Sequence, residues 1–249
     1  NETPQYLSWD KLTAFSNLSS ISGYFSIIGN DSLISFEGME SLQTVGEYLY
    51  ISANDYLTNL EGFTSLSHVG GISLVCNGLN SLEGLQSLDS IHGRLLIECE
   101  AIENLSGFEY IQCVGSNLII DNNYDLENVE GLDNLSNIDG MLSIYSNIKL
   151  SSLVGLGNID PQSINDLKIT DNASLSTCHV QSVCDYLSNP NGSIEINNNN
   201  YQCNSAEEVE EACLTIGLNE NTFQNDLQLI PNPFSNSTSI SYYLQKPSY

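Results

Sequence analysis

The chain has 249 residues, of which 41% are hydrophobic, and its 5 Lys and Arg against 31 Asp and Glu give a formal net charge of −26. Since phosphate binding needs clustered cations, this charge argues against a nucleic-acid partner and against anionic membrane surfaces. No apolar run approaches the roughly 20 residues that span a bilayer, so we expect no membrane insertion, and 7 cysteines without a CxxC pair favour an exported protein over a zinc-binding one.

The chain begins with residues 1–22, in which apolar residues stand three apart at Leu12, Phe15, Leu18 and Ile21. The same spacing returns in the second half of every later repeat, so this segment matches half a repeat only. We therefore expect residues 1–22 to form an incomplete first rung and the N-terminal lid of a repeat structure. Tyr6 and Trp9 are the predicted lid residues, because the end of a stacked repeat needs a cover.

Two series of glycines reveal the repeat that fills residues 23–175. The steps within each series are all 22 to 25 residues. Self-similarity at a fixed period predicts stacked rungs in which each repeat covers the apolar side of its neighbour. One series is Gly23, Gly46, Gly70, Gly93, Gly115 and Gly140, and the other is Gly38, Gly62, Gly84, Gly107, Gly131 and Gly155.

A short strand with two apolar residues separated by one position recurs between these glycines. Alternation of this kind predicts that both apolar side chains point inward while the residues between and beside them point outward. The inward pairs are Leu49 and Ile51, Ile72 and Leu74, Leu95 and Ile97, Leu118 and Ile120, Leu142 and Ile144, Leu167 and Ile169, and Ile194 and Ile196.

An asparagine follows the second apolar residue of the pair by three positions in nearly every repeat, and Glu100 is the one departure. An inward amide can bond backbone groups of its own rung and of the next. The sequence therefore predicts a structural asparagine column, consisting of Asn30, Asn54, Asn77, Asn123, Asn147, Asn172 and Asn199.

The outward positions of the middle rungs carry more apolar and aromatic residues than a solvated surface needs. Strand propensity alone explains such residues in part, but contiguous apolar patches also mark interaction sites. We therefore treat this face as a candidate binding surface, formed by Tyr48, Tyr50, Val75, Arg94, Leu96, Glu98, Ile119, Asp121, Met141 and Tyr145.

Glutamates precede several of the repeat glycines, and equivalent positions on adjacent rungs bring like charges close together. Simple solvated turns explain these residues, and calcium bridging is the alternative. Apart from calcium, no cofactor is expected. The glutamates are Glu37, Glu61, Glu83 and Glu130.

The full consensus, G-x-L-x-I-x-x-N-x-x-L-x-x-L-x-G-L-x-x-L-x-x-I, resembles the receptor L-domain and related leucine-rich repeats of surface proteins over residues 12 to about 200. This resemblance implies a right-handed parallel β-solenoid. With rungs about 4.8 Å apart, the sequence accommodates about eight rungs. Solenoids of this kind serve many ligands, so the resemblance predicts the fold more specifically than the function.

The repeat pattern changes in residues 176–213, which we predict to contain the final rungs and a short helical, cysteine-rich cap. Ser205 followed by Glu208 is a capping box at the start of a helix. Four cysteines allow three connectivities. The caps of the resembling family imply local pairing, Cys178 with Cys184 and Cys203 with Cys213.

Three further cysteines lie in the repeats. Cys76 and Cys99 occupy matching positions on successive rungs, where other repeats have Gly29, Ala53, Ser146 or Asp171. Adjacent rungs are close enough for a disulfide, but parallel side chains give it poor torsion, so free buried thiols are expected. Cys113 has no evident mate and is expected to pack in the core.

The C-terminal part loses the repeat period. Residues 214–228 read as a linker, and residues 229–249 start with Pro231, Asn232, Pro233 and Phe234 followed by alternating strand residues. This segment is similar to the start of the C-terminal sorting domain of the bacterial type IX secretion system. The similarity implies a protein that is secreted or attached to the outer surface of a gram-negative bacterium.

The composition argues against an enzymatic function. A lyase of acidic polysaccharides needs clustered cations and a base, whereas Arg94 is the single arginine and the histidines His68, His92 and His179 are scattered. An ice-binding surface would need regular threonine arrays, which the outward positions lack. We expect a non-catalytic binding or adhesion module for a protein or glycan partner, with a structural surface-layer protein as the alternative.

Overall fold

A computed structural model describes residues 11–214, except for Asn77 and the side chain of Cys76. The predicted lid residues Tyr6 and Trp9, the column position Asn77 and residues 215–249 of the predicted linker and sorting segment lie outside the described residues.

The described chain forms twelve short strands and two helices. In chain order these are β1 (Ser20–Ile21), β2 (Phe25–Ile28), β3 (Thr44–Ser52), β4 (His68–Cys76), β5 (Ser90–Ile91), β6 (Leu95–Cys99), β7 (Cys113–Val114), β8 (Leu118–Asp121), β9 (Asn137–Ile138), β10 (Gly140–Tyr145), β11 (Ile164–Thr170), α1 (Gln181–Ser188), β12 (Ile194–Asn197) and α2 (Ala206–Cys213). Four short 3-10 helices, Thr13–Phe15, Glu61–Phe63, Val154–Leu156 and Pro161–Ser163, lie in the connecting segments.

The strands stack into a parallel β-solenoid, which confirms the predicted fold class. The main sheet runs in the order β2, β3, β4, β6, β8, β10, β11 and β12, with β1 also paired to β3, and every pairing is parallel. About seven turns of chain connect these eight strands. A second sheet, in the order β5, β7 and β9, forms another side of the solenoid.

The core follows directly from the apolar spacing. Leu49 pairs in register with Ile72, which pairs with Leu95, and the same register continues to Ile194 at the other end of the sheet. The inward pairs from Leu49 to Ile169 are almost completely buried, together with apolar residues three apart such as Leu82, Leu85 and Leu88. Because identical positions stack on one another, one repeat pattern produces a continuous core.

The asparagine column is present in the described residues. Asn147 donates its side-chain amide to the carbonyl of Ile120 at 2.7 Å, and its Oδ1 accepts the backbone N–H of Asn123 at 3.0 Å. Asn147 in turn donates its backbone N–H to Oδ1 of Asn172, and Asn172 does the same with Asn199. The side chains thus bond backbone groups of the preceding rung rather than of the next one as predicted, and Asn54, Asn123 and Asn172 also donate to a carbonyl of their own rung.

One detail of the column differs from the prediction. The residue that takes the asparagine position in the irregular rung is Cys99 rather than Glu100. The backbone N–H of Cys99 donates to Asn123, and its thiol lies 3.7 Å from the carbonyl of Leu74. In other rungs a residue with positive φ, such as Ala53 or Ser146, precedes the asparagine. Cys99 therefore matches the asparagines and not those residues, although it pairs in register with Cys76 as expected.

The C-terminal cap contains the two helices. Helix α2 begins after the predicted capping residue Ser205, whose hydroxyl accepts the N–H of Glu208 at 3.3 Å. The four cap cysteines form disulfides, but the predicted local pairing is wrong. The bonds join Cys178 to Cys203 and Cys184 to Cys213, at separations of 25 and 29 residues. In a solenoid the nearest neighbour of a residue lies one turn away along the chain, so the bridges connect successive turns.

The two remaining described cysteines are free. Cys99 is buried, as predicted, whereas Cys113 is only half-buried at the start of β7. Neither described helix is long and apolar enough to cross a membrane.

Candidate functional site

The main sheet presents one continuous outer surface, which we call the strand face. All ten residues predicted as a binding surface lie on it, within or directly beside β3, β4, β6, β8 and β10. Every one of them is half-buried. The in-register pairing aligns them in columns along the solenoid, so that Tyr50, Ser73, Leu96 and Ile119 stack in one column.

A groove of about 440 Å³ lies at the N-terminal half of this face. We call it the tyrosine groove. Tyr48, Tyr50 and Arg94 were predicted to belong to the binding surface, and the structure adds three residues from neighbouring rungs. The groove is lined by Tyr24, Ser26, Tyr48, Tyr50, Ser73 and Arg94.

Two tyrosine rings form one wall of the groove. The rings of Tyr24 and Tyr48 are parallel to within 13°, with centroids 6.1 Å apart. Tyr48 extends over Gly71 on the next rung, where an added Cβ would come within 2.4 Å of the Tyr48 ring. Glycine at position 71 therefore leaves the space that the Tyr48 ring occupies. The Tyr24 hydroxyl donates a hydrogen bond to the Glu47 carboxylate, and this bond, together with the negative charge of Glu47, raises the pKa of the Tyr24 hydroxyl.

Arg94 lies beside the Tyr48 ring of this pair. Its guanidinium carbon lies 6.0 Å from the centroid of the Tyr48 ring, within the range of a cation–π interaction. Its buried Nε has no hydrogen-bond partner among the described residues. Ser73 is 1% exposed, and its hydroxyl also lacks a partner in the described part of the chain. The groove thus combines aromatic walls with two unsatisfied polar groups.

Comparison of the chain with protein-family models, with curated proteins and with solved structures finds no match.

A second group of polar residues, the polar cluster, lies farther along the same face and consists of Asp121, Ser143, Tyr145, Lys168 and Thr170. The Ser143 hydroxyl donates to Oδ1 of Asp121 at 3.1 Å, and the Lys168 ammonium lies 5.1 Å from the centroid of the Tyr145 ring. Burial raises the pKa of Asp121 to about 6, although the hydrogen bond from Ser143 opposes this shift. The Thr170 hydroxyl is buried without a partner among the described residues.

The other predicted face residues connect these two sites. Leu96, Ile119, Val75 and Met141 supply half-buried apolar surface between the groove and the cluster. Glu98 accepts a hydrogen bond from the side chain of Asn122 at 3.2 Å, so its position is fixed by the next rung.

Candidate ligands for metal ions are dispersed. Among the residues that the structure describes, no group of three His, Cys, Asp or Glu side chains is arranged to hold a metal ion. Glu37, Glu61, Glu83 and Glu130 are exposed, and Glu37 pairs with Lys11 at 2.6 Å. Although the histidines are distant in sequence, the rings of His68 and His92 lie together, with centroids 4.3 Å apart, because the two residues are one repeat apart.

Sequence reasoning missed Tyr24, Ser26 and Ser73 as parts of the groove. Each occupies an outward position equivalent to one that was chosen, since Ser26 and Ser73 both pair in register with Tyr50. The repeat alignment therefore contained the information. The alignment gave no reason to include small serine residues, or a residue of the first rung, in a binding surface that was chosen for its aromatic and apolar side chains.

Proposed function

We propose that this chain is a non-catalytic binding module, secreted or exposed at a cell surface, that engages its partner through the tyrosine groove of the strand face. The observation that carries the proposal is the joint presence of parallel tyrosine rings and of two buried, unpartnered polar atoms in one groove. Buried polar groups are normally hydrogen-bonded, and tyrosine supplies a large contact area with little loss of conformational entropy. Both properties favour a binding surface over a surface selected only for strand formation.

The distribution of cations supports a non-catalytic role. Lys11, Lys149 and Lys168 each pair with a carboxylate, at 2.6 to 3.7 Å. A lyase acting on acidic polymers would need several cations around one bond. The groove instead contains one arginine and aromatic residues, a composition suited to binding.

We also propose that the chain acts outside the cytosol. Two disulfides in the cap are typical of an oxidising environment outside the cytosol. The similarity of residues 229–249 to a type IX sorting segment, and of the repeats to receptor L-domains, supports a protein displayed on a gram-negative outer surface.

The proposal is tested by removing the groove rings together. We expect the variant Tyr24→Ser, Tyr48→Ser, Tyr50→Ser to fold but to lose binding to glycan arrays and to immobilised surface extracts. The matched control replaces three exposed tyrosines outside the groove, Tyr56, Tyr110 and Tyr124, by serine. Circular dichroism and thermal melting establish that both variants are folded.

Equal binding by the folded groove variant and the control would contradict the proposal. A different outcome is that neither variant binds, while both self-associate in sedimentation experiments as the unaltered chain does. That outcome would favour a structural surface-layer role over the proposed binding function.

A further inference from the structure

The first observation concerns charge. The described residues include four Lys and Arg side chains, and three of them form ion pairs with carboxylates. Arg94 is the exception within the described chain, although the protein carries 31 acidic residues. Because no described carboxylate of this acidic protein pairs with Arg94, its guanidinium is available to the carboxylate of a ligand. Its planar guanidinium can bond a carboxylate through two parallel hydrogen bonds.

The second observation concerns hydroxyl recognition. Ser73 lines the groove with its buried hydroxyl unpartnered among the described residues, and Tyr48 and Tyr50, which carry phenolic hydroxyls, line the same groove. A ligand with several hydroxyl groups can satisfy such donors and acceptors. Tyrosine rings at the same time offer apolar faces for the C–H face of a flat ring. The chemistry therefore favours a polyhydroxylated ring over a purely apolar group.

The third observation concerns the backbone. Around the groove, Tyr50 pairs in register with Ser73, and Ser73 with Leu96, within a continuous parallel ladder. The backbone groups of these strands are used by the neighbouring rungs, so an extended peptide cannot add itself as a further strand here. Recognition in the groove must rely on side chains. An extended peptide therefore cannot gain affinity from main-chain hydrogen bonds in this groove. A sugar does not depend on such bonds.

From these observations we infer that the tyrosine groove binds an acidic saccharide, with a uronic acid unit as the recognised element. The carboxylate of the sugar pairs with Arg94, its ring packs on Tyr48 and Tyr24, and its hydroxyls bond to Ser73 and the tyrosine hydroxyls. Glu47, at the Tyr24 end, repels a carboxylate, so the acid group is directed to the Arg94 end. This inference rests on the proposed function, because it names the ligand class of the same groove.

The test uses oligogalacturonate as the probe, in calorimetric or NMR titrations of the full chain. Its methyl ester, which keeps the ring and loses the charge, is the matched ligand control. We expect the acid to bind about tenfold or more tightly than the ester, and Arg94→Gln to abolish this preference. Lys149→Gln removes a cation far from the groove and is expected to keep it.

Three outcomes would overturn the inference. They are equal affinity for the acid and its ester, an acid preference that persists in Arg94→Gln, and binding of a polyglutamate peptide as tight as that of the oligouronate. If no uronate binds while the triple tyrosine variant still loses attachment to surfaces, the ligand class is wrong and the proposed binding function stands.

Discussion

The backbone N–H of Cys99 donates to Oδ1 of Asn123 at 2.7 Å, and this bond shows that the column depends on position more than on residue type. A cysteine occupies an asparagine site, bonds onward to the next asparagine and points its thiol at the Leu74 carbonyl. The thiol is a weak donor, so the cysteine rung is held less firmly than its neighbours. From Cys99 to Asn199 the column is therefore a continuous bonding network, and Cys99 is the weak member of this described stretch.

We predict that Asn147→Ala destabilises the solenoid by about 3 kcal/mol or more. The substitution leaves the N–H of Asn123 and the carbonyl of Ile120 buried without partners, at about 1–3 kcal/mol each. Urea unfolding and hydrogen exchange of the adjacent rungs measure the loss. The control is Asn134→Ala, an exposed asparagine with one bond to the carbonyl of Glu109, which should cost less than about 1 kcal/mol. Equal losses for both variants would contradict the structural role of the column.

The glycines of the second series provide a sharper test of rung spacing. At Gly84 the backbone φ is +117°, and an added Cβ would lie 1.8 Å from the carbonyl oxygen of Leu60 on the preceding rung. We expect Gly84→Ala to cost more than about 3 kcal/mol, since both the dihedral and the overlap are unfavourable. Gly23→Ala, where a Cβ meets nothing within 4 Å, should change stability by less than about 0.5 kcal/mol. Thermal melting of the two variants compares them directly.

The fold could be predicted from the sequence because solenoid register is set by the repeat length alone. Once Leu49 and Ile72 are assigned to the same position of the repeat, it follows that they stack on adjacent rungs. It also follows that Tyr50 and Ile119 lie on the same outward surface. A globular fold would have required the packing of elements distant in sequence. Here every important neighbour lies about one repeat away.

The wrong disulfide pairing and the missed groove residues have a common physical origin. Both depend on which side chains meet between adjacent rungs. The cap cysteines pair between turns, and Tyr48 occupies space that exists only because residue 71 is glycine. Neither relation is encoded within a single repeat. The groove could therefore be predicted as part of a face, but its shape depends on which side chains meet between neighbouring rungs.

The disulfide pairing yields a further prediction. Non-reducing peptide mapping should recover Cys178 linked to Cys203 and Cys184 linked to Cys213, and no local pairs. Loops of these lengths contribute about 3.5 kcal/mol each by constraining the unfolded chain. Cys184→Ser with Cys213→Ser should therefore expose the cap to proteolysis while the middle rungs stay protected. Replacing the free Cys113 by serine is the control, and cap cleavage equal to that of the double variant would refute the prediction.

The polar cluster should give the solenoid a specific pH dependence. Burial raises the pKa of Asp121 from its usual 3.8 to about 6, so the folded chain binds its proton more tightly than the unfolded chain does. Stability must then fall as the pH rises from about 4 to about 6, because ionising this carboxyl costs free energy in the folded state only. Above that range the penalty is fully present.

We predict that Asp121→Asn raises the free energy of unfolding by about 1 kcal/mol at pH 7.5, well below the full value of the shift because the side chain is half-exposed. The amide oxygen can still accept the Ser143 hydroxyl, so the hydrogen bond is retained. At pH 4 the gain should vanish. Asp139→Asn removes an equal charge at an exposed site and corrects for the general repulsion in a chain of net charge −26. Urea unfolding at both pH values measures the difference, and a gain for Asp121→Asn that is no larger at pH 7.5 than at pH 4 would rule out the raised pKa as its cause.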